Sequence, residues 1–235
     1  MTSTGQPEIS VIIPAYNECD NIIPLAAEIE AALRPLNTPY EILMVDDGSS
    51  DETPARIEAA RAQSPAVRGI RLAARAGQSA AMLEGFRQAR GAVIVTMDGD
   101  LQNDATDIPR LLDALKNCDV VCGYRANRRD TWSRRAASRL ANAVRNLVTR
   151  DGICDTGCSL KAFRRECAAD LPPLNGVHRF MPAYFRLHGR RIEQIPVNHR
   201  ARRHGRSKYT NLKRLPATLL DLFGFWWYRR RLLRQ

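Results

Sequence analysis

Two acidic clusters stand out by residue type and spacing. Asp98-Gly99-Asp100-Leu101-Gln102 sets two carboxylates two positions apart, with a glycine between them that lets a backbone come close. If the loop turns there, both carboxylates can point at one hard divalent cation. Such ions take oxygen ligands and usually keep substrate phosphates in their shell, and Gln102 supplies a further neutral oxygen. Asp46-Asp47-Gly48-Ser49 is the second cluster. A carboxylate at such a place can accept hydrogen bonds from a nucleobase or ribose. The plain alternatives are a solvated acidic turn for the first cluster and a helix cap for the second.

The cations are distributed unevenly. The 235-residue chain carries a formal charge of +11, which favours phosphate-bearing or otherwise anionic partners. Arginines crowd Arg125–Arg150 and Arg186–Arg214, and the chain closes on Arg229-Arg230-Arg231 and Arg234. A guanidinium matches phosphate oxygens with a planar fork, and an ammonium adds a point charge. For most of these cations a solvated helix face is the simpler reading. No nucleic-acid module accompanies them, and the aromatics do not alternate with basic residues on a strand.

The elements that must position these clusters follow from hydropathy. Ile9–Pro14, Glu41–Asp46, Val67–Leu72, Ala92–Met97, Asp119–Cys122 and Ile192–Val197 read as strands. Between them Asn21–Leu33, a segment near Thr53 and Pro54 capped by Ser50, Ser79–Ala89 ended by Gly91, and Ile108–Leu115 read as helices. Trp132–Val148 is helical and basic, Arg200–Tyr209 a polar loop, and Asn211–Leu233 a terminal amphipathic helix with an aromatic patch. Continuous apolar strands alternating with helices predict an α/β domain with a mainly parallel central sheet. Both acidic clusters then fall at carboxyl ends of strands, where such sheets bind ligands. Pro14-Ala15-Tyr16-Asn17-Glu18 follows the first strand, so neither a dinucleotide glycine fingerprint nor a Walker loop is present.

From about Ile9 to Tyr209 these motifs occur in an order that resembles glycosyltransferase family 2. Within it the chain is similar to the dolichol-phosphate mannose synthase branch, which includes polyprenyl-phosphate sugar synthases. Ile12–Glu18, Val45–Asp51 and Met97–Gln102 carry the likeness. So do Gly123-Tyr124-Arg125, Ser138-Arg139 with Asn142, Asp155–Cys158 leading to Phe163-Arg164, and Arg202 with Gly205, Ser207, Lys208 and Tyr209. The resemblance implies a GT-A fold, Rossmann-like, in a catalytic domain over 7–210, followed by a basic, aromatic segment over 211–235. It implies that Pro14, Tyr16, Glu18 and Asp46 line the nucleotide pocket with Asp47 nearby. Asp98, Asp100 and Gln102 would hold Mg2+ or Mn2+ and the donor diphosphate. Arg125, Ser138 and Arg139 would face an acceptor phosphate, and Arg202 and Lys208 would come from a loop that closes over the donor.

The expected activity is inverting transfer of a hexose from a GDP- or UDP-linked donor to a polyprenyl phosphate, giving a β-linked product. The alternative is a family 2 enzyme acting on a polysaccharide or protein acceptor. The six cysteines read as buried free thiols. The N-terminus shows no signal-peptide pattern, and Leu215–Tyr228 is too short and too polar to span a bilayer. A cytoplasmic protein bound peripherally to an anionic membrane surface is therefore expected. Trp226, Trp227 and Tyr228 would lie at headgroup level, with the terminal arginines on anionic lipid. Oligomeric state is left open.

Overall fold

The computed structural model describes residues 6–126, 145–201 and 211–232, with the side chains of 211–218 outside that description. Its strands are β1 (Ile9–Ala15), β2 (Tyr40–Asp46), β3 (Val67–Arg71), β4 (Val93–Thr96), β5 (Val120–Arg125), β6 (Lys161–Arg164) and β7 (Ile192–Val197). The helices are α1 (Cys19–Leu33), α2 (Thr53–Gln63), α3 (Gln78–Gln88), α4 (Ile108–Ala114), α5 (Val177–Leu187) and α6 (Asn211–Arg231). Residues 145–149 are also helical.

One sheet runs in the order β3-β2-β1-β4-β6-β5-β7. Its pairs are parallel except those made by β6, which runs against both β4 and β5. Both faces are apolar and covered, as continuous β-branched strands require. Val11, Ile13, Ile42, Met44 and Val95 meet α1, α2 and α4 on one face. Ile12, Leu43, Val45 and Ile94 meet α3 and α5 on the other. α6 adds Phe225 to that second layer, stacked 6.1 Å from Phe180 and edge-on to Tyr184 at 5.1 Å.

The strand order decides where the two acidic clusters go. β2 and β4 flank β1, and all three point the same way. Asp46 at the end of β2 and Asp98 just past β4 thus stand on either side of the chain leaving β1.

Several local expectations are corrected. Ser50 does not cap α2: Glu52 occupies the N-cap, while Ser50 pairs with Asn17. Gly91 does not end α3, which stops at Gln88. A Cβ on Gly91 would lie 2.7 Å from the β1 backbone, so glycine is needed there for close approach. β5 runs on to Arg125 rather than stopping at Cys122, because parallel pairing with β7 continues to Arg125↔Val197. β6 and α5 were not anticipated. Of the basic helix expected over 132–148, only 145–148 falls among the described residues. All six cysteines are free; Cys118, Cys122, Cys158 and Cys167 are buried, Cys19 is half-buried and Cys154 is exposed.

Candidate active site

The loop leaving β1 is stitched to the end of β2. Asn17, at φ 51°, receives Ser50 N on its Oδ1 at 2.9 Å, while its own N donates to Ser49 Oγ at 2.9 Å. Glu18 N donates to Thr53 Oγ1 at 2.8 Å. Glu18 Oε2 accepts from Asn21 Nδ2 at 2.7 Å, so this carboxylate braces the start of α1.

Asp46 is buried. Its Oδ1 accepts from Ser49 N at 2.9 Å. Arg71 Nε lies 3.3 Å from Oδ2, an ionic approach only, since that oxygen has no hydrogen-bond partner among the described residues. A buried acceptor without a partner is costly, and an N–H brought by a ligand would relieve it. Asp47 is used differently. Its carboxylate takes Ala76 N at 2.7 Å and Gly77 N at 2.9 Å, clamping the loop after β3. That loop lays Arg75 over the Tyr16 ring, 4.2 Å from the centroid. Gly48, at φ +67°, lets it come close: a Cβ there would sit 2.6 Å from Arg75 N.

Across β1, the 98–103 turn is held from three directions. Gln78 Nε2, at the start of α3, donates to Asp98 Oδ1 at 2.9 Å. Ser159 Oγ accepts from Asp98 N at 3.3 Å and from Asn103 Nδ2 at 2.7 Å. Arg200 N donates to Gln102 O at 2.7 Å, and His199 Nε2 lies 3.5 Å from Gln102 Nε2. Gly99 passes close to β1, where a Cβ would stand 3.3 Å from Pro14 O. Leu101 takes a left-handed φ of 60°, which bends the turn, and Gln102 N donates to Asp100 Oδ1 at 3.2 Å. Burial, then the Asp100 charge beside it, pushes the Asp98 carboxyl above its usual range; Ser159, Lys161 and Gln78 pull it part of the way back.

This donor set fits a hard divalent cation. Two adjacent carboxylates raise each other's cost of ionisation, and a cation between them removes it. Among the described residues no group of three His, Cys, Asp or Glu forms a metal cluster. A cation held by Asp98, Asp100 and the Gln102 amide would keep coordination places for phosphate oxygens.

At the far rim, Arg125 ends β5. It forks onto Asp155, with Nε–Oδ2 at 2.7 Å and Nη2–Oδ1 at 2.8 Å. Behind them Arg145 is buried against Asp151 at 3.3 Å, fixing the chain that leads to Asp155. Arg200 bridges Glu28 at 2.8 Å and Asp104 at 2.7 Å.

Of the residues singled out from sequence, Pro14, Tyr16, Glu18, Asp46, Asp47, Asp98, Asp100 and Gln102 therefore gather at the carboxyl ends of β1, β2 and β4. Arg125 lies at the matching end of β5. Ser138, Arg139, Arg202 and Lys208 lie outside the described residues. Sequence reasoning gave no part to Gln78, Ser159, Arg75 or His199. Asp155 appeared only inside a motif. Nothing local marks Gln78 or Arg75, since each earns its place through a partner far along the chain.

The family model described as "Glycosyl transferase family 2" matches residues 10–171. The chain belongs to that family. It is 38% identical over 208 residues to the undecaprenyl-phosphate 4-deoxy-4-formamido-L-arabinose transferase of Serratia proteamaculans (strain 568), covering 88% of this chain and 64% of the relative. It is 39% identical over 217 residues to the protein of the same name in Edwardsiella ictaluri (strain 93-146), covering 91% and 66%. The chain thus spans about two thirds of the length of the curated relatives it matches. Among solved structures it is similar to glucosyl-3-phosphoglycerate synthase from Mycobacterium tuberculosis in complex with Mn2+, UDP and phosphoglyceric acid. The TM-score is 0.72 at 21% identity, over 100% of this chain and 82% of that one. Another complex of that synthase, with Mg2+ and UDP, gives a TM-score of 0.70 at 20% identity, over 100% and 83%. The family 2 chain has the expected GT-A fold, with the C-terminal helix present. No helix among its described residues is long and apolar enough to cross a membrane.

Proposed function

We propose that this chain transfers a sugar from a nucleoside-diphosphate donor to a polyprenyl phosphate, with inversion at the anomeric carbon. The observation that carries this reading is the convergence of Asp46 with Asp98 and Asp100 on the two sides of β1, with Arg125 fixed at the same end of the sheet. The relatives' names point to the same acceptor class.

Each residue then has a task. Asp46 Oδ2 accepts an N–H or O–H of the nucleoside. Tyr16 and Arg75 form one wall of its pocket. Asp98, Asp100 and Gln102 would hold Mg2+ or Mn2+, and such an ion would supply charge neutralisation to a leaving diphosphate. Arg125 faces the acceptor phosphate while Asp155 fixes its plane. A phosphate monoester is already ionised near neutral pH, so attack needs position more than a strong base. Two anions must meet, and fixed cations offset their repulsion. We assign Ser138 and Arg139 to the acceptor side, and Arg202 and Lys208 to closure over the donor.

We further propose that α6 rests on an anionic membrane surface. Its inner face docks through Phe225 and through Arg179 on Asp221 at 2.7 Å. Its other face exposes Leu219, Leu220, Phe223 and Trp227. Arg230 lies 4.4 Å over Trp226 and Arg231 lies 5.8 Å over Trp227. Aromatic rings backed by guanidinium groups suit the headgroup layer.

The deciding experiment incubates the protein with Mn2+, undecaprenyl phosphate and a set of donors. These are GDP-mannose, UDP-glucose, UDP-N-acetylglucosamine, a UDP-uronic acid and a nucleotide-linked 4-deoxy-4-formamido-L-arabinose. A base-stable, acid-labile lipid-phosphate sugar is the expected product. Transfer only to a polysaccharide or peptide acceptor would overturn the polyprenyl assignment.

A further inference from the structure

We infer, on the metal reading of Asp98 and Asp100 given above, that Gln78 is a positioning residue for the reaction. Its amide sets the Asp98 carboxylate for the cation and ties it, through the single step from Gly77, to the Asp47 clamp on the nucleotide side.

The loop from β3 to α3 places its contacts in consecutive residues. Arg75 lies over the Tyr16 ring, 4.2 Å from its centroid. Ala76 N and Gly77 N both donate to the buried Asp47 carboxylate, at 2.7 and 2.9 Å. Gln78 Nε2 then donates to Asp98 Oδ1 at 2.9 Å. Ser79, buried, roots the turn: its Oγ accepts from Gly176 N at 2.9 Å and lies 2.7 Å from His178 Nδ1. Farther along α3, Gly85 lets the helix press on β1, since a Cβ there would stand 2.3 Å from Ile12 Cγ2. The first turn of α3 is therefore fixed from behind, and Gln78 reaches forward from it. One end of this short stretch holds the nucleotide side of the cleft and the other holds the cation turn.

The chemistry of residue 78 suits that task. A carboxylate that is to take a cation needs its plane fixed and its charge left intact. A lysine or arginine at this place would compete with the cation for that charge. A neutral amide N–H occupies one lone pair of Oδ1 and leaves the rest. Partners of this kind orient metal-holding carboxylates, and losing one lowers metal affinity by roughly 10–100-fold. Gln78 is exposed, and a solvent-facing hydrogen bond adds little to folding. Gly77 is the joint. Its φ of +95° turns the chain from the clamp into α3, and a Cβ there would meet no described atom within 4 Å. A side chain at 77 would thus strain the joint without a clash. A nucleotide that presses on Tyr16 and Arg75 steadies this loop and with it Gln78. By linkage, a cation held at Asp98 favours nucleotide seating in return.

The test uses the full chain with Gln78→Met, which keeps the length and removes the donor, and with Gly77→Ala. Mn2+ binding is followed by the loss of the free-ion EPR signal, UDP and GDP binding by calorimetry with and without Mn2+, and folding by thermal melting. Gln78→Met is expected to bind Mn2+ about tenfold more weakly and to lose the same factor in diphosphate binding in the presence of Mn2+. Its metal-free diphosphate binding and its melting should stay near wild type. Gly77→Ala should weaken Mn2+ binding to a similar degree. Adding it to Gln78→Met should weaken Mn2+ binding no further, because both act through one amide. Unchanged Mn2+ affinity in Gln78→Met would overturn the inference. So would an equal loss of diphosphate binding with and without Mn2+, or a clear fall in melting temperature, either of which assigns Gln78 to general support of the loop. Additive losses in the double variant would break the link through Gly77. If wild type binds no Mn2+, alone or with UDP, the metal reading itself falls and the positioning role with it.

Discussion

The guanidinium of Arg125 and the carboxylate of Asp155 lie edge to edge, joined by two short hydrogen bonds of 2.7 and 2.8 Å. Arg125 N also donates to Asp155 Oδ2 at 3.1 Å. One carboxylate thus sets both the side chain and the strand end. Replacing Asp155 by Asn keeps the shape but turns one oxygen into a donor facing a donor. We expect kcat/KM for the polyprenyl phosphate to fall about 10²-fold, with a much smaller change in donor KM. Steady-state kinetics with each substrate varied in turn checks this.

Gly157 makes room for that fork. A Cβ there would stand 2.8 Å from Arg125 Nη2. Gly157→Ala should displace the guanidinium from Asp155 and reproduce the acceptor defect. Its melting temperature should stay near wild type, because the atom that must give is a side-chain end. A normal acceptor KM in this variant would show that the fork is not what orients Arg125.

Gly48 is a harder constraint. Its φ of +67° and the 2.6 Å approach to Arg75 N both exclude a side chain. Gly48→Ala should cost about 1–3 kcal/mol in backbone strain alone. It should also weaken nucleotide binding by lifting the Arg75 loop off Tyr16. Urea denaturation and UDP or GDP titration measure the two effects separately.

The Arg200–Asp104 pair gives a pH dependence of known sign. Burial alone would raise the Asp104 carboxyl, but Thr106 and Arg200 outweigh it and hold the group below its usual range. A carboxylate held low contributes stability that is fully present above its unfolded pKa and is lost as pH falls through the folded value. Wild type should therefore melt above Asp104→Asn at pH 6. The gap should close as pH falls below about 4, the region where ordinary Asp groups protonate. A gap that does not narrow with acid would assign the effect to the cap on Thr106 rather than to charge.

α6 offers a paired contrast. Phe225 is 1% exposed, and Phe223, two positions away, is 62% exposed. Phe225→Ala should cost about 3–5 kcal/mol of stability. Phe223→Ser with Trp227→Ser should leave melting nearly unchanged and reduce sedimentation with phosphatidylglycerol vesicles. Equal vesicle binding by the double variant would move the membrane contact away from this face.

The parallel core was legible because β1, β2 and β4 are apolar on both faces and end in aspartates or in a break. The sequence pattern implied a mainly parallel sheet but not the order β3-β2-β1-β4-β6-β5-β7 that unites those ends. β6 escaped notice because it is four residues long and opens with a lysine, a poor strand signal until its ammonium is seen bent back on Cys158. α5 escaped because Gly176, Arg179 and Pro182 interrupt the pattern. The proline is tolerated six positions into the helix, and Val177, Phe180, Met181, Ala183, Tyr184 and Phe185 still bury one flank. The supporting contacts were the least visible. Gln78 reaches Asp98 across 20 residues and Asp155 reaches Arg125 across 30. Local pattern carries no trace of such pairings.

Among the described strands β6 alone runs against its neighbours, and its reversal has a structural consequence. The stretch before it enters the reaction rim from the side and supports two loads at once. Asp155 holds Arg125, the arginine we propose for the acceptor side, and Ser159, four residues further along, holds the turn that carries Asp98. One short stretch of chain therefore touches both sides of the site.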